Sequence, residues 1–194
     1  TQMIVKGHDF PAVTLVGILA ADLSLYAGDY RASERTFQLL TQAAGRAGRG
    51  REEGIAVIQT YSPEHYSIET AAAQDYGSFF RQELRYRQLM EYPPAAYLLA
   101  VCLSGREREK LEDGAERVKR KLQKRIGSSS VQLIGPADAY VAKVNDIYRK
   151  VVYLKGKELE QLAELKEQLE LLWQEQTDLQ QLNIQFDMNP MSGY

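Results

Sequence analysis

The sequence predicts an α/β segment, a pair of linker helices and a separate α+β domain of split βαβ type. Three observations lead there. Two short apolar, β-branched runs, at residues 13–19 and 55–60, flank a stretch with helical spacing. Tyr92-Pro93-Pro94 cuts the chain, because two prolines end a helix. Beyond them strand-like and helix-like runs follow in the order β-α-β-β-β-α-β. The three zones are 1–62, 63–94 and 95–194.

In the first zone, residues 13–19 form a strand of the kind covered on both faces. Phe37, Leu40 and Ala44 mark a helix from Ser33 to Ala44 with Ser33 as its cap, and Gly45 and Gly48 break it. Residues 55–60 form a second buried strand. This is one piece of an α/β sheet, too short for a complete doubly wound domain, and a chain that opens on Thr1 is expected to be a fragment.

In the linker, Ser62-Pro63-Glu64 starts a helix, with Ser at the N-cap and Pro at the first helical position. Residues 75–78 form the joint. The second helix, 78–91, is aromatic and basic. Its Phe79, Phe80 and Leu84 are expected to pack into a domain junction, a nucleic-acid face being the sharper alternative.

In the last zone, residues 98–103 form a strand. Residues 107–125 form a helix with Leu111, Ala115, Val118 and Leu122 on one face. A strand at 131–134 ends at Gly135-Pro136, and residues 139–144 and 148–154 form a hairpin about Asn145-Asp146. Helix 158–174 carries Leu159, Leu162, Leu165, Leu169 and Leu172, and 182–186 is the last strand. The Leu-rich helix spans only about two and a half heptads, so it faces a core rather than a coiled-coil partner.

Composition narrows the classes. A net charge of −2, 44% hydrophobic and 26% charged residues exclude a disordered tail. No run of 18 apolar residues is present, so no transmembrane helix is expected. The single Cys102 excludes a disulfide framework or a Cys-based zinc cluster within the chain and fits a reduced, cytoplasmic compartment. Residues 1–92 hold nine Lys/Arg and eleven Asp/Glu, and 93–194 hold fifteen of each. Neither half is basic, so any nucleic-acid contact comes from local patches. Nothing demands a dimer, and a monomer is expected.

The strongest local signal is Gln42-Ala43-Ala44-Gly45-Arg46-Ala47-Gly48-Arg49-Gly50. Two arginines three apart follow a helix and sit among three glycines. A guanidinium holds polyphosphate in a fixed fork, and glycines allow close backbone approach. An arginine brought to a γ-phosphate from a neighbouring domain stabilises transition-state charge. The basic residues Arg117, Lys119, Arg120, Lys121, Lys124 and Arg125 crowd one helix. They form either a solvated face or a phosphate-contacting patch. No aromatic residue interleaves them. Lys143 and Tyr148-Arg149-Lys150 on the hairpin form a second basic candidate, for a DNA backbone or an acidic peptide.

The Gln42–Gly50 string resembles motif VI of superfamily 2 helicases. Thr1-Gln2-Met3-Ile4-Val5-Lys6-Gly7-His8-Asp9-Phe10-Pro11 resembles motif V. Together with Ala21-Asp22, Arg35-Thr36-Phe37-Gln38-Leu39-Leu40 and Tyr92-Pro93-Pro94, the pattern is similar to the bacterial primosomal replication-restart helicases (primosomal protein N′). The resemblance runs the whole chain and is most specific in residues 1–62. It implies the second half of a RecA-like helicase lobe 2, carrying motifs V and VI, followed by the linker and a C-terminal DNA- and partner-binding domain. The implied whole protein is an ATP-dependent 3′→5′ DNA helicase that recognises stalled forks and restarts replication by primosome assembly.

By this resemblance Arg46 and Arg49 reach ATP phosphates and Gln42 supports them. Gly7 and Asp9 line the nucleotide cleft, with Gly45 a further cofactor-binding position. Thr1 lies near the DNA phosphate track. Lys121, Lys124, Arg125, Lys143, Arg149 and Lys150 complete the DNA-binding set. The implied partners are branched or forked DNA, the single-stranded DNA-binding protein with its acidic tail, and primosome proteins. The implied cofactors are ATP and Mg²⁺, bound mainly by a lobe 1 that this sequence lacks, with zinc only upstream of Thr1 and no metal here. The sequence holds no Gly-x-x-x-x-Gly-Lys-Ser/Thr loop and no metal-binding acid cluster, so this chain by itself is expected not to hydrolyse ATP. Other superfamily 2 translocases, or an interaction module with vestigial motifs, are the alternative readings.

Overall fold

The structure, a computed structural model, describes residues 13–48, 53–175 and 181–191. The chain divides into two compact units, Thr1–Tyr86 and Arg87–Tyr194.

In the first unit, β1 (Leu15–Ile18) and β2 (Ile55–Ile58) pair in parallel, with Leu15 opposite Ile55 and Ile18 opposite Ile58. Parallel neighbours need a crossover. It consists of a 3-10 turn (Ala21–Ser24) and α1 (Ala32–Ala44). Phe37 and Leu40 of α1 join Ala21, Ile68, Ala71 and Phe79 in a small core, against which Ile18 and Ile58 pack. The expectation that both strands are covered on two faces does not hold: Leu15 is 64% and Ile55 63% exposed. Among the described residues only two strands pair here, and the small core meets them at Ile18 and Ile58, which leaves Leu15, Ile55 and Val57 exposed and Val16 half-buried.

The start signals shift as well. α1 begins at Ala32, one residue before the predicted span, with Arg31 at the N-cap position, and Ser33 does not cap it. No side chain takes that role; Asp29 braces the turn before the helix, its Oδ1 accepting the Arg31 N–H at 2.8 Å and its carboxylate pairing with Arg35. Ser62 also fails to cap. It is claimed by the buried Asp22, whose carboxylate accepts from the Thr60 hydroxyl and from the N–H groups of Tyr61 (2.8 Å) and Ser62 (3.0 Å). These donors, the Thr60 hydroxyl foremost, hold the Asp22 carboxyl below its ordinary range. The next helix, α2 (Tyr66–Ala72), therefore starts three residues late, on His65, whose Nδ1 accepts the Ser67 N–H at 3.3 Å.

The following helix, α3 (Tyr76–Met90), is capped by Asp75, which accepts the Ser78 N–H at 2.9 Å. Phe79 is buried and stacks on Phe37 with ring centroids 4.2 Å apart. Glu83 is buried one turn on and accepts the Tyr66 hydroxyl at 2.6 Å. Phe80 was expected in the core and is 49% exposed. The buried row of the helix passes through Phe79 and Glu83 at a spacing of four, which leaves Phe80 on its flank.

The second unit holds β3 (Tyr97–Gly105), α4 (Arg108–Ile126), β4 (Gln132–Val144), β5 (Ile147–Gly156), α5 (Leu159–Glu175) and β6 (Asn183–Met188). The strands form one antiparallel sheet in the order β4-β5-β3-β6. The element order is β-α-β-β-α-β, a split βαβ arrangement with one strand fewer than the sequence suggested. Gly135-Pro136 does not end a strand. β4 runs through it, with register shifts between Ile134 and Ala137 and between Asp138 and Lys143. Proline is tolerated there because β4 is an edge strand and bulged, where a missing N–H breaks no central ladder.

The core of this unit joins Leu99, Val101 and Leu103 of β3 and Val152 and Leu154 of β5 to one face of each helix. α4 contributes Leu111, Ala115, Val118 and Leu122, the four expected positions, and α5 contributes Leu162, Leu165 and Leu169. Leu159, predicted on that face of α5, is 38% exposed at the helix start. The β4–β5 turn uses Asn145 and Asp146 at φ of 49° and 62°, the left-handed pair that a two-residue hairpin favours. At the start of the unit, Arg87 donates to the Pro93 carbonyl at 3.0 Å. The Lys155 Nζ donates to the Met90 carbonyl at 2.9 Å and lies 4.3 Å from the Tyr92 ring centroid. Burial pulls the Lys155 pKa below its ordinary value.

Candidate nucleotide and nucleic-acid sites

The Gly-Arg string sits at the C-terminal end of α1. Gly45 is the C-cap and its N–H reaches the Thr41 carbonyl at 3.0 Å; the N–H of Arg46 reaches the Ala43 carbonyl at 3.0 Å. The chain then turns through Gly48 at φ 73°, and the Gly48 N–H donates to the Val13 carbonyl at 2.9 Å, next to β1. Gly54, just before β2, presses against the backbone of Ala47 and Gly48, and an added Cβ would collide with it. The turn carrying Arg46 is thus closed by glycine packed on glycine, a contact no other residue allows. Its neighbour Thr41 has a buried hydroxyl with no hydrogen-bond partner.

Gln42 and Gly45 are exposed and Arg46 is half-buried, so the structure gathers Gln42, Gly45 and Arg46 at one helix end. Arg49, and Thr1, Gly7 and Asp9 of the amino-terminal motif, lie outside the described residues. The electrostatics differ from those of a phosphate-binding loop. Such a loop precedes a helix N-terminus, where free N–H groups face the anion. Here the loop follows a C-terminus, where free carbonyls face outward and favour cations. Phosphate held at this end has to be held by guanidinium. Arg46 carries the one guanidinium described at this helix end, with the Gln42 amide one turn before it. Among the described residues no group of three His, Cys, Asp or Glu side chains could hold a metal.

The basic residues of α4 separate into two kinds. Arg117, Arg120, Lys121, Gln123 and Lys124 line a groove of about 470 Å³ on the helix surface. Arg117 pairs with Asp113 at 2.8 Å and Lys119 with Glu116 at 3.5 Å. Arg120, Lys121 and Lys124 are in no ion pair among the described residues. Arg125 turns back to the Lys121 carbonyl at 3.4 Å. Arg117 and Arg120 were left out of the predicted binding set, although the spacing of 117, 121 and 124 by four and three is the signal of one helix face. The groove lies opposite the row Leu111–Leu122 that holds the helix to the sheet.

The hairpin cations are engaged otherwise. Lys143 pairs with Asp146 at 2.8 Å and lies 4.9 Å from the Tyr148 ring centroid. Lys150 pairs with Asp138 at 2.9 Å, and Arg149 donates twice to the Val141 carbonyl, at 3.0 and 2.7 Å. Neighbours on a strand point to opposite faces, so Arg149 and Lys150 share no patch. Cys102 lies half-buried on β3, and burial pushes its thiol up to about 12, so it stays protonated near neutrality. No helix among the described residues is long and apolar enough to cross a membrane.

A short parallel βαβ piece with an arginine-bearing helix end, followed by a split βαβ domain with a basic helix, defines an α/β–α+β chain with two candidate anion-binding surfaces. The model of the primosomal protein N C-terminal domain matches residues 88–191, and the chain belongs to that family. The chain is similar to the replication restart protein PriA of Bacillus subtilis, at 40% identity over 190 residues, which cover 98% of this chain and 24% of that protein. It is similar to the replication restart protein PriA of Synechocystis sp., at 41% identity over 156 residues (80% of this chain and 18% of that one). A third relative is the replication restart protein PriA of Rickettsia conorii, at 37% identity over 173 residues (89% and 26%). The chain thus spans about a quarter of the length of the curated relatives it matches, and the match falls in their C-terminal part.

Proposed function

We propose that the chain is the C-terminal working part of an ATP-dependent 3′→5′ DNA helicase that restarts replication at stalled forks. Residues 1–62 act as the second half of a RecA-like lobe 2, and residues 95–194 as a module that engages fork DNA and primosome partners. Membership of the primosomal protein N C-terminal domain family supports the module. The placement of Gln42, Gly45 and Arg46 at one glycine-closed helix end carries the motor reading. In that reading Arg46 and Arg49 reach the phosphates of ATP cradled by another lobe, and Gln42 supports them. ATP bound there, with its Mg²⁺, supplies the phosphoryl group. This chain's own contribution is positive charge at the phosphates, without a base or a metal ligand. Alone it hydrolyses no ATP.

The test is DNA-stimulated ATP hydrolysis by the protein with its nucleotide-binding lobe in place, as wild type and as Arg46→Ala. We expect stimulated turnover to fall by roughly 10³-fold or more while ATP still binds, the range for an arginine acting on the transition state. Wild-type levels of turnover in Arg46→Ala would sink the motor reading and leave a DNA- and partner-binding module.

A further inference from the structure

One side of α3 stays largely exposed. Tyr76 touches the buried Phe37 with one edge, at 6.1 Å between ring centroids, yet is 65% exposed, and Phe80 sits one turn further on, its ring centroid 6.1 Å from that of Tyr76 and tilted by 33°. Beside this aromatic row lie Arg81 and Arg85, also one turn apart and exposed. Arg81 donates to the Ser78 hydroxyl at 2.8 Å, and neither arginine is in an ion pair among the described residues. The one acid within α3, Glu83, is buried on the opposite flank and bound by Tyr66. Two parallel rows result, each with a repeat of about 6 Å along the helix axis. One presents π-faces and the other presents guanidinium, that of Arg81 within the field of the capping Asp75 carboxylate and that of Arg85 in no ion pair among the described residues.

A polyanion with flat apolar groups at a regular repeat matches both rows. Single-stranded nucleic acid has that chemistry: its bases stack on aromatic rings without regard to sequence, and its phosphates take the cations. A duplex satisfies only the cationic row, because its bases are already stacked on one another. The groove of α4 is the reverse case, with cations and no aromatic residue among its lining. We propose that the Tyr76–Arg85 face of α3 is a stacking site for single-stranded nucleic acid, distinct in chemistry from the α4 groove. It rests on its own residues, and neither ATP turnover nor Arg46 enters its test.

The test titrates the whole chain with a fluorescent oligothymidylate of about twelve nucleotides and, separately, with a duplex of the same length. Phe80→Ala should weaken single-strand binding about tenfold, the loss of one stacked base. Phe80→Trp should keep it, which a merely spatial role would not require. Arg81→Gln with Arg85→Gln should flatten the salt slope on the single strand by about 1.4, the share of two phosphates. Duplex affinity should be unchanged by Phe80→Ala. Photo-cross-linking of 5-bromouracil in the bound strand should label Tyr76 or Phe80. No single-strand binding by the wild type, unchanged affinity in Phe80→Ala, an equal loss on the duplex, or cross-links confined elsewhere would each overturn the assignment.

Discussion

The α4 groove makes a prediction whose size follows from its ion pairs. Each phosphate neutralised on duplex DNA contributes about −0.9 to the slope of log affinity against log salt. Four cations line the groove, but Arg117 is already held by Asp113 at 2.8 Å and has no counterion to displace. That leaves Arg120, Lys121 and Lys124, and a slope of about −2.7. Between 50 and 200 mM salt the affinity for duplex should then fall by roughly 40-fold. Replacing Lys121 and Lys124 by Gln removes two of the three, and the residual slope should be about −0.9, a loss of only about threefold to fourfold over the same range. Fluorescence anisotropy at four or five salt concentrations reads this directly. Replacing Lys143 and Lys150 by Gln is the control, since both are spent on Asp146 and Asp138 and should change the slope by less than about 0.5. A wild-type slope near zero, or a hairpin variant that flattens it as much as the α4 variant does, would refute the assignment of the patch to α4.

Two further outcomes follow from the first unit. Burial depresses the pKa of His65 below its ordinary 6.5, although Glu83 and Asp22 oppose the shift. Below 6.5 the unfolded chain therefore takes up a proton that the folded chain resists, so stability is full above that value and is lost as pH falls toward the folded pKa. Urea midpoints measured from pH 7.5 to 5 should decline for the wild type and be flatter for His65→Asn, which still caps α2 but does not titrate; parallel curves would remove His65 from the account. Gly54→Ala forces the Ala47–Gly48 backbone to move and displaces the turn that carries Arg46. It should lower DNA-stimulated ATP turnover in the protein with its nucleotide-binding lobe while leaving duplex binding by α4 unchanged, and wild-type turnover would show that the glycine contact does not hold the arginine in place.

What the sequence disclosed depended on how local its cause was. The core face of α4 is written in the spacing of Leu111, Ala115, Val118 and Leu122, and all four are buried. Asn145-Asp146 announces its hairpin because the turn itself demands left-handed residues. Caps were read less well. Ser33 and Ser62 are good cap residues by type, but α1 starts without any side-chain cap, and Asp22 takes the Ser62 N–H from forty positions away, outside the window in which caps are read. Gly135-Pro136 looked like a strand end because proline breaks a central ladder, and only the sheet order shows that β4 is an edge. At the sites, the Gln42–Arg46 cluster was legible as a motif, whereas the sorting of the basic residues was not. Charge alone cannot tell Arg120, which is in no ion pair among the described residues, from Lys150, which Asp138 already holds.

In the motor role proposed for it, the helix end that carries Arg46 gives a physical reason for a guanidinium there. A phosphate approaching the C-terminus of α1 meets the carbonyls of the last turn, and the field there is unfavourable to it. A backbone cradle of the phosphate-loop kind is therefore unavailable, and glycine serves another purpose: Gly48 and Gly54 let two backbone segments touch and fix the turn. Cations are favoured at the same helix end, which suits a guanidinium such as that of Arg46. Such an arrangement is poor at holding ATP alone and suited to adding charge to phosphates held elsewhere. It follows that Arg46→Lys, which keeps the charge and loses the fork, should recover only part of the turnover lost in Arg46→Ala, with nucleotide affinity little changed in either variant, in the protein with its nucleotide-binding lobe. Full recovery of turnover would mean that charge suffices and that the planar geometry of Arg46 contributes nothing.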